Sequence, residues 1–175
     1  MTDEEIIKAV LAGDTEKYAE IVNRYKTIVV NLCYKIGGNK IDVEEIAQKV
    51  FIELYTALPR FRFQSKLSTF IYRMTFNIVR KQQSYALRFT SPNENAPEQR
   101  SESRNIEQEI IYNEQIKKLH DAIAQLKYEQ RTALVLCTFE DFSYQDVANV
   151  MQCSLTKVEA LIFRAKKNLR KILES

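Results

Sequence analysis

FSYQDVANVMQCSLTKVEALIFRAKKNLRKIL, residues 142–173, alternates apolar and polar groups at helical spacing on both sides of a break at Gln152-Cys153. Tyr144, Val147, Ala148 and Met151 fall on one face of a first short helix. Ser143 is placed to cap it, and Asp146, three residues on, resembles the reciprocal partner of a capping box. In the second helix Leu155, Val158, Ile162, Ala165, Leu169 and Ile172 form the apolar stripe, with Ser154 as N-cap. Two packed helices joined by a short turn make a helix-turn-helix. At about 100° per residue, Lys157, Arg164, Lys167 and Lys171 lie away from that stripe, with small Thr156 and Ala160 between them. Such a face suits a DNA groove. It also suits an ordinary helical hairpin with a solvated basic end, because cations near a helix C-terminus are favoured by the dipole.

Working outward, the 175 residues allow one ordinary domain or two small ones. A hydrophobic content of 45% suffices for globular cores, and three glycines with no tryptophan lean toward an all-α protein. The net charge of +3 is modest, so the distribution of charge matters more than its total. Cys33, Cys137 and Cys153 are odd in number and contain no Cys-x-x-Cys pair, which indicates reduced thiols rather than a disulfide framework or zinc site. The opening MTDEEIIKAV is acidic, and no apolar run reaches the roughly 18 residues of a membrane span, so a cytoplasmic location is expected.

TSPNENAPEQRSESRN, residues 90–105, holds two of the three prolines and few apolar groups, and reads as a flexible linker. Two small helical domains are therefore expected, over residues 1–89 and 106–175. In the first, Thr2 with Glu5 suggests a capped helix to about Leu11, broken at Gly13. A second helix carries Tyr18, Ile21, Val22, Tyr25, Ile28, Val29 and Leu32 as its stripe and stops near Gly37-Gly38. A third buries Val43, Ile46, Ala47, Val50, Phe51 and Leu54 and closes at Pro59. Its other face bears Asp42, Glu45, Gln48 and Lys49, which by themselves describe a solvated surface.

From Leu54 to Asn93 there is no Asp or Glu, while Arg60, Arg62, Lys66, Arg73, Arg80, Lys81 and Arg88 are interleaved with Phe61, Phe63, Phe70, Tyr72, Phe76, Tyr85 and Phe89. Surfaces made only for solubility mix both signs of charge. Basic groups neutralise phosphates and aromatic faces stack unpaired bases, a combination suited to single-stranded nucleic acid. Some of these rings must be core, because Phe70, Ile71, Met74 and Ile78 share helical spacing.

Taken in order, DVEEIAQKVF, FRFQSKLSTFIYRMTFNIVRK, a linker and a helix-turn-helix ending RAKKNLR resemble an extracytoplasmic-function sigma factor of the sigma-70 family, over nearly the whole chain. The resemblance implies an alternative sigma factor that binds core RNA polymerase and directs promoter-specific initiation. Residues 1–89 would be region two and residues 106–175 region four. It assigns Asp42, Glu45, Gln48 and Lys49 to the β′ clamp of core polymerase, with the β subunit a further contact; Lys49 stands where an acidic residue is common. It assigns Arg60, Phe61, Arg62, Phe63, Gln64, Ser65, Lys66, Thr69, Tyr72, Arg73, Asn77 and Arg80 to the −10 element. Phe63-Gln64 replaces a common Gly-Asp in the loop that would receive a flipped base, and extrusion costs a few kcal/mol that ring stacking must return. Ser154, Thr156, Lys157, Glu159, Ala160, Arg164, Lys167 and Lys171 are assigned to the −35 element. Lys127 stands where Pro is usual, Gln152 where Gly is frequent, and Glu159-Ala160-Leu161 replaces a commoner Lys-Ser-Arg. Glu159 has two readings, acceptor from a cytosine amino group or partner of a neighbouring cation on its own helix.

A stand-alone helix-turn-helix regulator would explain residues 142–173 but leaves the basic aromatic segment without a task. An enzyme is disfavoured, because His120 is the single histidine and sits on a charged helical surface with no nucleophile or metal cluster nearby. No cofactor, metal or small-molecule substrate is expected. The expected partners are core polymerase, promoter DNA and an anti-sigma factor, typically membrane-linked, that covers two otherwise mobile domains.

Overall fold

The computed structural model of the chain describes residues 1–37, 41–89 and 108–174, which form eight α-helices and two single 3-10 turns. The first helix, α1, spans Asp3–Leu11 and opens with the expected capping box: Glu5 N–H donates to Thr2 Oγ1 at 3.2 Å and Thr2 N–H to Glu5 Oε2 at 2.7 Å. It ends beside Gly13, whose φ of +108° is open only to glycine at low cost. After a 3-10 turn at Thr15–Lys17, α2 runs from Tyr18 to Gly37. Its Tyr25 hydroxyl donates to Asp3 Oδ2 at 2.6 Å, pinning α1 across it. Helix α3, Val43–Ala57, is capped by Asp42, and Pro59 lies in the 3-10 turn Leu58–Arg60 that follows it. A Cβ at Gly37, the last residue of α2, would meet Ile41 Cδ1 at 1.9 Å, so a larger residue there requires the Ile41 side chain to shift. The long α4, Leu67–Phe89, packs on α2 and α3 and completes a three-helix layer around Ile21, Val29, Leu32, Ile46, Val50, Leu54, Ile71 and Phe76.

In the C-terminal half α5 covers Gln108–Ala124 and α6 Tyr128–Phe139. The helix-turn-helix is α7, Tyr144–Met151, and α8, Leu155–Leu173. Ser143 and Asp146 form the reciprocal box, and Ser154 Oγ accepts from Lys157 N–H at 3.2 Å. Two residues assigned to apolar stripes lie elsewhere: Tyr144 and Leu155 are 40% and 42% exposed. Each is the first residue of its helix, ahead of the turn on which the partner helix packs; Val150 and Leu161 are buried in the core instead. The His120 ring stacks on that of Tyr34 of α2, with centroids 4.6 Å apart. The three thiols are free, with Cys33 buried and raised to about 12 by that burial.

The expected linker, residues 90–105, lies outside the described residues. The halves on either side of it pack against each other. Phe76 and Val79 of α4 belong to one continuous apolar cluster with Leu136 of α6 and Val147, Ala148 and Met151 of α7. Each half alone is small enough to leave an apolar face uncovered, and each covers that of the other.

Gln152 adopts φ 53° and ψ 49°, the left-handed cap where glycine costs least. The helix-turn-helix therefore forms without its usual glycine, at a backbone cost of about 1–2 kcal/mol. Replacing Gln152 by Gly is expected to stabilise the chain by ~0.5 kcal/mol after the entropy of glycine is deducted, and Gln152→Val to destabilise it by ~1–2 kcal/mol. Paired denaturant melts check both signs.

Candidate polymerase and nucleic-acid interface

Asp42, the N-cap of α3, and Glu45, Gln48 and Lys49 on its surface are all exposed. Glu45 and Lys49 form an ion pair at 2.6 Å with both side chains about half exposed, which adds little to stability and leaves both charges available. Ile52, 60% exposed, and Tyr55 continue the line of Gln48 at four- and seven-residue spacing. Neither was singled out from the sequence, although Ile52 falls outside the apolar register of its helix, which is the mark of an exposed apolar contact. The Tyr55 ring is braced edge-on by Tyr18, whose hydroxyl donates to Phe51 O at 2.5 Å. The arrangement is a charged and apolar strip held on a rigid helix, a form suited to another protein surface.

Beyond Arg60 the chain leaves α3 and crosses to α4 in a short loop. Arg62, Phe63, Gln64, Ser65 and Lys66 are exposed there, and Phe61 is half-buried beneath them. The ring of Phe61 lies 5.0 Å from Phe63 and 5.2 Å from Phe70, so three aromatic side chains meet at the loop. Phe63 has φ 55°, the left-handed region, at the position where the family resemblance places glycine. A phenylalanine held there is strained by about 1–2 kcal/mol and keeps its ring on the surface.

Along α4, Thr69, Arg73 and Asn77 recur at four-residue spacing, all partly exposed, and exposed Arg80 follows on the next turn. Arg73 Nε is buried without a hydrogen-bond partner, leaving one donor unsatisfied in this state. Tyr72 is the exception in the group. It is 7% exposed, its ring lies 4.7 Å from Phe142, and its hydroxyl donates to Glu140 Oε2 at 2.5 Å. Burial, then the Glu140 carboxylate, raises its pKa, so it remains a neutral donor.

On α8, Ser154, Thr156, Lys157, Glu159, Arg164, Lys167 and Lys171 are exposed and Ala160 is half-buried. Lys157 Nζ pairs with Glu129 of α6 at 3.0 Å, so this cation is oriented by the neighbouring helix. No ion pair to Glu159 is found among the described residues, which leaves its carboxylate available as an acceptor. Thr156, Ala160, Phe163 and Lys167 follow each other at the spacing of one helical face, and Phe163 is 70% exposed in the middle of it. Sequence reading passed over Phe163; an aromatic ring out of register on a basic face was the available signal. Such a ring can meet the methyl group of thymine in a major groove. Among the described residues no group of three metal-ligating side chains occurs, and no helix is long and apolar enough to cross a membrane.

The family models for sigma-70 region 2 and sigma-70, region 4 match residues 21–96 and 116–169. The chain is 29% identical to the RNA polymerase sigma-H factor of Pseudomonas aeruginosa, over 98% of this chain and 94% of that protein. It is 28% identical to the ECF RNA polymerase sigma factor SigW of Bacillus subtilis, over 95% and 94% respectively. Two solved structures share the fold: CnrH in complex with the cytosolic domain of CnrY, with TM-score 0.69, 19% identity and 98% and 97% coverage, and the sigma factor RpoE of Bartonella quintana in complex with the anti-sigma factor NepR, with TM-score 0.68, 17% identity and 91% and 98% coverage. With sigma-70 regions 2 and 4 matched in order over most of the chain and an ECF relative aligned over 95% of it, this chain belongs to the extracytoplasmic-function sigma factors of the sigma-70 family.

Proposed function

We propose that the chain acts as an alternative sigma factor in the cytoplasm, with residues 1–89 binding core polymerase and opening the −10 element and residues 106–175 reading the −35 element. The strip Asp42, Glu45, Gln48 and Lys49, extended by Ile52 and Tyr55, is the surface offered to the β′ clamp. The single observation that carries the reading is the pairing of an acid-free basic aromatic segment with a basic helix-turn-helix on one chain. A stand-alone regulator needs only the second. The sigma factor RpoE of Bartonella quintana was solved with the anti-sigma factor NepR, and a partner of that class is proposed here as well. Co-elution with purified core polymerase separates the two readings: the sigma factor forms a stable complex, whereas a stand-alone regulator elutes alone.

In the −10 loop Phe63 supplies a stacking face for an extruded base, and its left-handed backbone holds that face outward. Phe63→Gly is expected to raise stability by about 0.5–1 kcal/mol through relief of strain, while strand opening on a duplex promoter falls. Arg73→Ala should impair opening while sparing promoter docking. Permanganate footprinting and thermal melts on the same preparations read both effects; full opening by Phe63→Gly would remove the loop from the melting step.

At the −35 element α8 enters the major groove with Thr156, Lys157, Ala160 and Phe163 toward the bases and Lys167 and Lys171 toward the backbone. Lys157→Ala should change which sequences are preferred, by about 1–3 kcal/mol at the affected position. Phe163→Ala should relax a preference for thymine. Lys171→Ala should weaken all sequences alike and reduce the salt slope by roughly one phosphate contact. Binding over a randomised −35 library at several salt concentrations checks each, and a uniform loss for Lys157→Ala would make it a backbone contact.

A further inference from the structure

Glu129 lies in the first turn of α6, and its carboxylate reaches across to α8, where Oε1 pairs with Lys157 Nζ at 3.0 Å. Lys157 is thereby held at both ends, since its backbone N–H donates to Ser154 Oγ at 3.2 Å. It stands at the third position of α8, in the turn from which a recognition helix presents side chains to base edges. Burial raises the pKa of the Cys153 thiol in the preceding turn, Lys157 lowers it and Glu129 raises it, so both charges sit beside the turn of the helix-turn-helix.

The support behind Glu129 belongs to the C-terminal half alone. Gln130 Oε1, next in sequence, accepts from Asn168 Nδ2 of α8 at 3.0 Å, and Leu134 of α6 shares a buried cluster with Ala165 of α8. Arg131 Nη1 donates to Ala124 O at 2.7 Å, which fixes the turn that leads into α6. A carboxylate in the first turn of a helix is also favoured by the dipole. The paired side chains are 47% exposed at Lys157 and 37% at Glu129, so the pair adds little to stability. Its consequence lies in where it points the ammonium.

A lysine ammonium is a compact charge on a flexible stem, and beside DNA such a charge is drawn to phosphate. Phosphate contact carries no sequence information. With one N–H given to Glu129, the Lys157 ammonium keeps others for acceptors ahead of it, and guanine offers O6 and N7 in the major groove. The Glu129 carboxylate also repels phosphate, so backbone of any sequence gains little from this cation.

We propose that Glu129 is a positioning residue for −35 recognition: it aims the Lys157 ammonium at a guanine edge and withholds it from the phosphate backbone. The inference rests on the sigma-factor reading of α8 and deepens it. The pair exchanges affinity for selectivity, which gives removal of the carboxylate two effects of opposite sign. Freed from Glu129, Lys157 binds all DNA more tightly and discriminates less. A residue that merely held α6 against α8 would weaken every sequence instead.

The test uses the full-length chain assembled with core polymerase and a promoter library randomised over the −35 element, at several salt concentrations. The wild type is expected to prefer guanine at one position that Lys157→Ala no longer discriminates. Glu129→Gln is expected to lower that preference roughly three- to tenfold, while binding to unrelated duplex rises and the salt slope steepens by up to about one phosphate contact. In a Lys157→Ala background Glu129→Gln should leave the sequence preferences as they are, because the carboxylate acts on them only through the ammonium. An unchanged guanine preference in Glu129→Gln overturns the proposal, as does a uniform loss over all sequences or a change of preferences that persists without Lys157. A wild-type holoenzyme that prefers no −35 sequence overturns the reading of α8 itself, and this role with it.

Discussion

Among the described residues Arg131 is the one charged residue in the buried set, and no ion pair joins it to a carboxylate there. A bare buried guanidinium is costly unless its donors are filled. Here backbone carbonyls fill them: Ala124 O at 2.7 Å from its own half and Ile36 O from the other. Both belong to helix C-termini, where unpaired carbonyls concentrate partial negative charge. Burial lowers the Arg131 pKa, the expected direction for a cation without an anionic partner. One side chain thus closes the end of α2 and fixes α6 against it. The position of α6 in turn sets where Glu140 meets α4 and where the helix-turn-helix begins.

Seen from that contact, two small helical units are coupled rather than merely tethered. Neither unit buries enough surface to be indifferent to the other, and the seam supplies apolar cover to both. Its polar contacts differ in kind from its apolar ones. Burial of Phe76 against Tyr128 favours any compact arrangement, whereas the directed bonds to Glu140, Ile36 O and Phe76 O select one.

Much of this was legible in the sequence, for local reasons. Helix starts at Thr2, Ser143 and Ser154 follow from side chains that fill N–H groups three residues away, so a short window holds the whole cause. The acid-free basic run was equally visible, since charge needs no fold to be counted. What escaped depends on partners distant in the chain. Tyr144 and Leu155 share the spacing of core residues but occupy the first position of their helices and remain exposed. Ile52 and Phe163 were passed over because apolar residues are normally assigned inward. The contacts of Arg131 and Glu140 join residues far apart in sequence, and no periodicity encodes them. Phe63 and Gln152 illustrate a third case: a residue other than glycine marks the site, while its left-handed backbone appears only in the structure.

The central claim is that this chain confers promoter selection on core RNA polymerase. Run-off transcription on a library of genomic fragments, with core polymerase and purified chain, tests it most directly. The account predicts discrete transcripts that appear only when both are present and whose start sites share two upstream elements. Transcripts that are unchanged by the chain, or start sites with no shared upstream sequence, would contradict it.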